Sequence, residues 1–107
     1  MNSSFPDFTE SELSQLVVLA DCLVVMRSSE HFREAVRLCV KLNGPMSSPV
    51  AYALASLNKE LDKWDRNGWT LDREGLFIMG STMEMRKDPY TSCMGWTLLG
   101  SVEKLLP

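Results

Sequence analysis

The sequence predicts an α+β domain: three N-terminal helices, then a β-hairpin or short meander, then a C-terminal helix. Three observations predict it. Apolar residues recur at helical spacing as far as Asn67. After Gly68 the pattern breaks into short apolar runs around the four-residue turn Asp72-Arg73-Glu74-Gly75. Helical spacing then returns from Thr91 to Leu106. An all-α bundle is the alternative, with a helix over 70–86 in place of the hairpin. Residues 1–107 read as a single small globular domain, because the chain has 107 residues, 45% of them hydrophobic, and is large enough to hold one core.

The first helix opens at Thr9, an N-cap with Glu12 three residues on as its capping-box partner and Phe8 placed to staple onto Leu13. Leu13, Leu16, Val17, Ala20, Leu23 and Val24 form a helical stripe. Val18, Leu19, Cys22, Val25 and Met26 then make the second half apolar on nearly every side. Such a helix must be wrapped by the rest of the domain or meet another copy, which predicts a homodimer, or an obligate complex, through Val18, Cys22 and Val25. A buried strand over Val17–Val25 competes on periodicity alone. Asp21 interrupts the run, and if enclosed it requires a partner, Arg33 or Arg37, unless it marks a solvated edge.

Ser28-Ser29 restarts a helix that runs to about Leu42, with Phe32, Val36, Cys39 and Val40 inward and Glu30, Arg33, Glu34 and Arg37 paired along the outer face. Asn43-Gly44-Pro45 stops it. The third helix is capped by Ser48 with Pro49 in its first turn, and Val50, Leu54, Leu57, Leu61 and Trp64 form a narrow seam. Glu60 with Lys63 and Asp62 with Arg66 are the expected surface pairs, and Asn67-Gly68 closes the helix.

Trp69–Leu71 and Leu76–Met79 are the two expected strands, with Gly75 supplying a positive φ at the turn. A helix there carries Gly75 and Gly80, each costing about 1 kcal/mol relative to Ala. Weak alternation continues to Arg86, and Lys87-Asp88-Pro89 signals a second turn. The last helix is expected to cap at Thr91 or Ser92 and to depend on packing, since it contains Gly95 and Gly100.

Eleven basic and fourteen acidic residues give a net charge of −3, too little to mark a polyanion or a nucleic-acid binder. The three cysteines, Cys22, Cys39 and Cys93, are scattered and include no CxxC, which predicts neither a disulfide framework nor a zinc site. His31 is the sole histidine, and Cys39 stands eight residues along the same helix, about 12 Å away. Glu30, His31 and Glu34 share a turn without the HExxH spacing, and an ion-paired face explains them. No GxGxxG or Walker pattern occurs, so no cofactor or metal is expected. The opening MNSSFPDFTE has neither a basic nor an apolar leader region, and the run Leu16–Met26 is too short to cross a bilayer, so a cytoplasmic protein without membrane contact is expected.

Three helices and a hairpin also follow the element order of a winged helix-turn-helix, with the Pro49 helix as reader and 69–79 as wing. That makes a DNA-binding regulator the alternative function, although the reading face has Lys59 as its first base and the wing only Arg73. A small Cys-dependent enzyme is a distant third. The preferred expectation is a non-enzymatic regulatory, adaptor or inhibitor protein that binds another protein. Met83, Met85, Tyr90 and Trp96 are its candidate contacts, since thioethers and aromatic anchors favour such surfaces.

Overall fold

The computed structural model describes residues 8–107, and among these the chain is all-helical. Its elements are α1 (Glu10–Met26), α2 (Ser29–Asn43), α3 (Ser48–Asn67), α4 (Arg73–Glu84) and α5 (Pro89–Leu105). The alternative all-α bundle is therefore correct, and the α+β domain, its hairpin and the winged-helix order are not.

The hairpin fails for a specific reason. Asp72 is not a turn residue but the N-cap of α4, its carboxylate accepting the Gly75 amide at 2.8 Å. An Asp three residues before a glycine is as good a helix start as it is a turn. Gly75 and Gly80, read as penalties, are sites of close packing. A Cβ on Gly75 would strike the Thr70 carbonyl and lie 3.0 Å from the Trp64 ring, and one on Gly80 would lie 3.0 Å from Leu99 and 3.2 Å from the Gly95 carbonyl. The helical cost is offset at Gly75 by a contact that a side chain would forbid, and at Gly80 by an approach that a Cβ would make tight.

α5 is the hub, packing on α4, α1 and α3. α4 and α5 form an antiparallel pair. Gly80 faces Gly95, the Ser92 hydroxyl donates to the Glu84 carbonyl at 2.8 Å, and Arg73 near the start of α4 donates to the Leu106 carbonyl at the end of α5. α1 lies beside α5 in the same direction. The Phe8 ring meets Tyr90 edge-on at 5.8 Å at one end, and Asp21 meets α5 at the other. α3 crosses this group and buries Val50, Ala53, Leu57, Leu61 and Trp64, the expected seam except that Leu54 is only partly covered. α2 is peripheral and buries only Ser29 and Phe32.

Caps and charges sort differently from expectation in several places. The Thr9–Glu12 capping box is present, with both bonds near 3 Å. α3 begins after Ser47 rather than Ser48, and α5 is capped by Asp88, not Thr91 or Ser92, with Pro89 in its first turn. Asp21 accepts from Ser101 at 2.7 Å and Lys104 at 3.0 Å, both on α5, and not from Arg33 or Arg37. Arg33 instead reaches α3, at 2.7 Å from Asp62 and 3.1 Å from Asp65. Glu60, buried, pairs with Arg86 at 3.0 Å rather than with Lys63. Of the expected surface pairs only Arg37 with Glu34 forms.

Three substitutions test this packing. Leu57, fully buried in mid-seam, should cost about 2–5 kcal/mol as Leu57→Ala, read as a lower denaturation midpoint. The glycines of α5 should split in sign. A Cβ on Gly95 would collide with the Glu84 backbone nitrogen and stand 2.7 Å from the Gly80 carbonyl, so Gly95→Ala should destabilise by about 1–3 kcal/mol. A Cβ on Gly100 meets nothing within 4 Å, so Gly100→Ala should stabilise by about 0.5–1 kcal/mol. Urea unfolding of both variants reads the difference.

Candidate functional site: an apolar groove along α5

The outward side of α5 carries Trp96 and Gly100 one turn apart. Because Gly80 and Gly95 bring α4 against α5, Phe77 of α4 stands on one side of this strip, and Val17 of α1 stands on the other. The three helices enclose a groove of about 550 Å³, long enough to run along α5 from Trp96 to Lys104. Trp96 is 64% exposed and Phe77 51% exposed, large fractions for aromatic side chains in a small domain. Gly100 deepens the floor, since no side chain rises there and nothing occupies the space above it. Arg73 and Lys104 with Glu103 edge the groove; Lys104 is held by Asp21.

The four residues expected to contact a partner separate. Trp96 stands in the groove. Met85 is the most exposed of the four at 75%, but it lies at the C-cap of α4 and does not line the groove. Tyr90 is half-buried between the rings of Phe8 and Tyr52. Met83 is fully buried with Met79 and Met94, so it fills the core between α4 and α5. Phe77, expected in the strand Leu76–Met79, and Val17, expected in the apolar stripe of the first helix, are the groove's other apolar walls. Their signal was legible only once 73–84 is read as a helix, because Phe77 then falls on the side away from Leu76, Met79 and Met83.

On α1, Leu16, Leu19, Ala20, Leu23 and Val24 are buried, while Val18 and Val25 are 62% and 67% exposed and Cys22 is half-buried. The bundle thus covers one side of α1 and leaves the expected self-association strip open.

The residues weighed for chemistry are dispersed. His31 is exposed in the first turn of α2, where its backbone amide caps onto Ser28. Cys39 is exposed and Cys93 is buried. Burial pushes the Cys93 thiol above its ordinary value, outweighing a hydrogen bond with Thr97. Burial also raises Cys22, and the nearby Cys39 adds to the shift. Among the described residues no group of three His, Cys, Asp or Glu is placed to hold a metal ion, and no helix is long and apolar enough to cross a membrane.

The chain matches no protein-family model, no curated protein and no solved structure.

Thiol reactivity should follow this placement. Maleimide at neutral pH should label Cys39 first and Cys22 more slowly, with Cys93 protected until the bundle unfolds; raised thiol pKa values mean that Cys22 labelling accelerates as pH rises. Equal rates at all three positions in native buffer would show that α5 is not the enclosed hub.

Proposed function

We propose that the protein is a non-enzymatic regulatory or adaptor module that binds another protein, taking an amphipathic helix of its partner into the groove between α1, α4 and α5. One observation carries this reading: Trp96 and Phe77 stand exposed over a floor hollowed at Gly100. Aromatic anchors on a rigid helical frame are the residues that supply most of the energy at protein interfaces. A groove walled by helices suits an apolar helix face presenting residues at i, i+3, i+4 and i+7. The α5 stretch from Trp96 to Lys104 is about 12 Å long, room for two turns of such a partner.

The DNA-binding alternative has lost its wing, since 73–84 are helical. The homodimer remains a second reading, favoured by the exposure of Val18 and Val25 on one side of α1. Val18→Lys should then convert a dimer to a folded monomer, and a wild-type mass near 12.1 kDa in sedimentation equilibrium at tens of micromolar would end that reading.

Two substitutions test the groove. Gly100→Leu projects a side chain into it from a position where a Cβ meets nothing within 4 Å, and Trp96→Ala removes its anchor. Both should leave thermal stability unchanged or higher, while a partner captured from the native host by the wild-type chain should be lost by each variant. Capture that survives Gly100→Leu would place the binding surface elsewhere.

A further inference from the structure

A second concave surface lies between α3 and the turn joining α4 to α5, with a volume of about 400 Å³. It gathers five of the chain's eleven Lys and Arg residues: Lys59, Lys63 and Arg66 on α3, and Arg86 and Lys87 on the turn. The three on α3 are spaced at i, i+4 and i+7 and form a single row about 10 Å long. Like charges at these spacings repel one another, so the row weakens α3 unless something neutralises it.

Two carboxylates line the same surface, and both are engaged. Glu60 accepts from Arg86 at 3.0 Å. Asp88 caps α5 and accepts from the Tyr90 amide and, at 2.6 Å, from the Thr91 hydroxyl. Burial alone would raise Asp88, but these bonds and one from Tyr52 outweigh it and hold the carboxyl below its ordinary value. Among the described residues, Lys59, Lys63, Arg66 and Lys87 have no carboxylate partner within salt-bridge distance. Ser56 adds a hydroxyl to the same wall.

We propose that this groove binds a compact polyphosphate group, two or three phosphoryl units carried by a small molecule. Four uncommitted cations on two facing walls match such a ligand in charge, and charge-assisted bonds to phosphate oxygens are among the strongest polar contacts available. A row of about 10 Å spans a chain of two or three phosphoryl groups. A nucleic-acid strand fits less well. The chain is −3 overall, so the surface beyond this cationic groove is acidic and repels a polyanion that extends past it. Repulsion is screened beyond about 8 Å at physiological ionic strength, so the outer acidic surface acts more on a strand that runs past the groove than on a ligand confined to it. No glycine-rich phosphate loop is involved; the cations come from segments some twenty residues apart and converge only in the fold.

Isothermal titration of the full chain with inorganic tripolyphosphate tests this. Saturable one-to-one binding is expected, weakened tenfold or more by Lys63→Gln with Arg66→Gln, and equally by Lys59→Gln with Lys87→Gln. These side chains lie at the surface, and circular dichroism confirms that each variant is folded. The control Arg27→Gln with Lys41→Gln makes the same change in net charge outside the groove and should leave affinity within twofold. Absence of saturable binding at millimolar tripolyphosphate overturns the proposal. So does an equal loss in the control, which would mean a net-charge effect. A ten-residue oligothymidylate that binds more tightly than tripolyphosphate, with the same dependence on Lys63 and Arg66, overturns it in favour of single-stranded nucleic acid.

Discussion

The structure depends on the approach of α4 to α5 at Gly80 and Gly95. Neither glycine is needed for a turn or a positive φ. Gly95 is needed because backbone stands where its side chain would be, the Gly80 carbonyl lying 2.7 Å from a Cβ built there, while a Cβ on Gly80 would press on Leu99 at 3.0 Å and on the Gly95 carbonyl at 3.2 Å. That contact seats Met79, Met83 and Met94 in a closed layer and makes α5 the element on which α1 and α3 also pack. Thioethers suit the position, since an unbranched side chain fills the irregular space left where two backbones come close. The same approach places Phe77 beside Trp96. The apolar groove is therefore a by-product of core packing.

Charged side chains then fix which helix lies where. Arg33 ties α2 to α3 through Asp62 and Asp65, and Asp21 ties α1 to α5 through Ser101 and Lys104. These pairs are partly exposed and contribute little to stability individually. Glu60 is different. Its carboxylate is buried, and an uncompensated charge there would be costly, so Arg86 holds the α4–α5 turn against α3. This pairing also brings the turn's cations opposite those of α3. One buried carboxylate thereby shapes the second groove while withdrawing only one of its five cations.

The first three helices were legible in the sequence because each carries a periodic apolar stripe and at least one strong end signal: Thr9 with Glu12, Ser28, Pro49 and Gly68. Residues 69–86 were not, because Asp-Arg-Glu-Gly satisfies a hairpin turn and a helix N-terminus equally, and the decision rests on Trp64 and Thr70, which no local pattern connects to Gly75. Partner assignments failed for the same reason. Asp21 lies twelve residues from Arg33 in sequence, yet it bonds across 80 residues to Ser101. Of the candidate contacts, Trp96 lies in the groove while Met83 entered the core, and composition alone treats them alike. The basic groove was invisible because its five cations come from two segments whose juxtaposition is set by Glu60 and Arg86.

The parallel seating of α1 on α5 has a temporal consequence. Ribosomal synthesis proceeds at roughly 5–20 residues per second. The side of α1 bearing Leu16, Ala20 and Leu23 is made early, but the helix that covers it follows some eighty residues later, as the spacing of Asp21 and Ser101 records. For about 4–16 s at those rates the nascent chain holds an apolar helix with its principal cover not yet synthesised. α2 and α3 shield part of it in that interval, and α4, which lies chiefly on α5, gains most of its cover only when that helix follows. The contacts that hold the first helix and the fourth together are therefore completed only when α5 has been made between them.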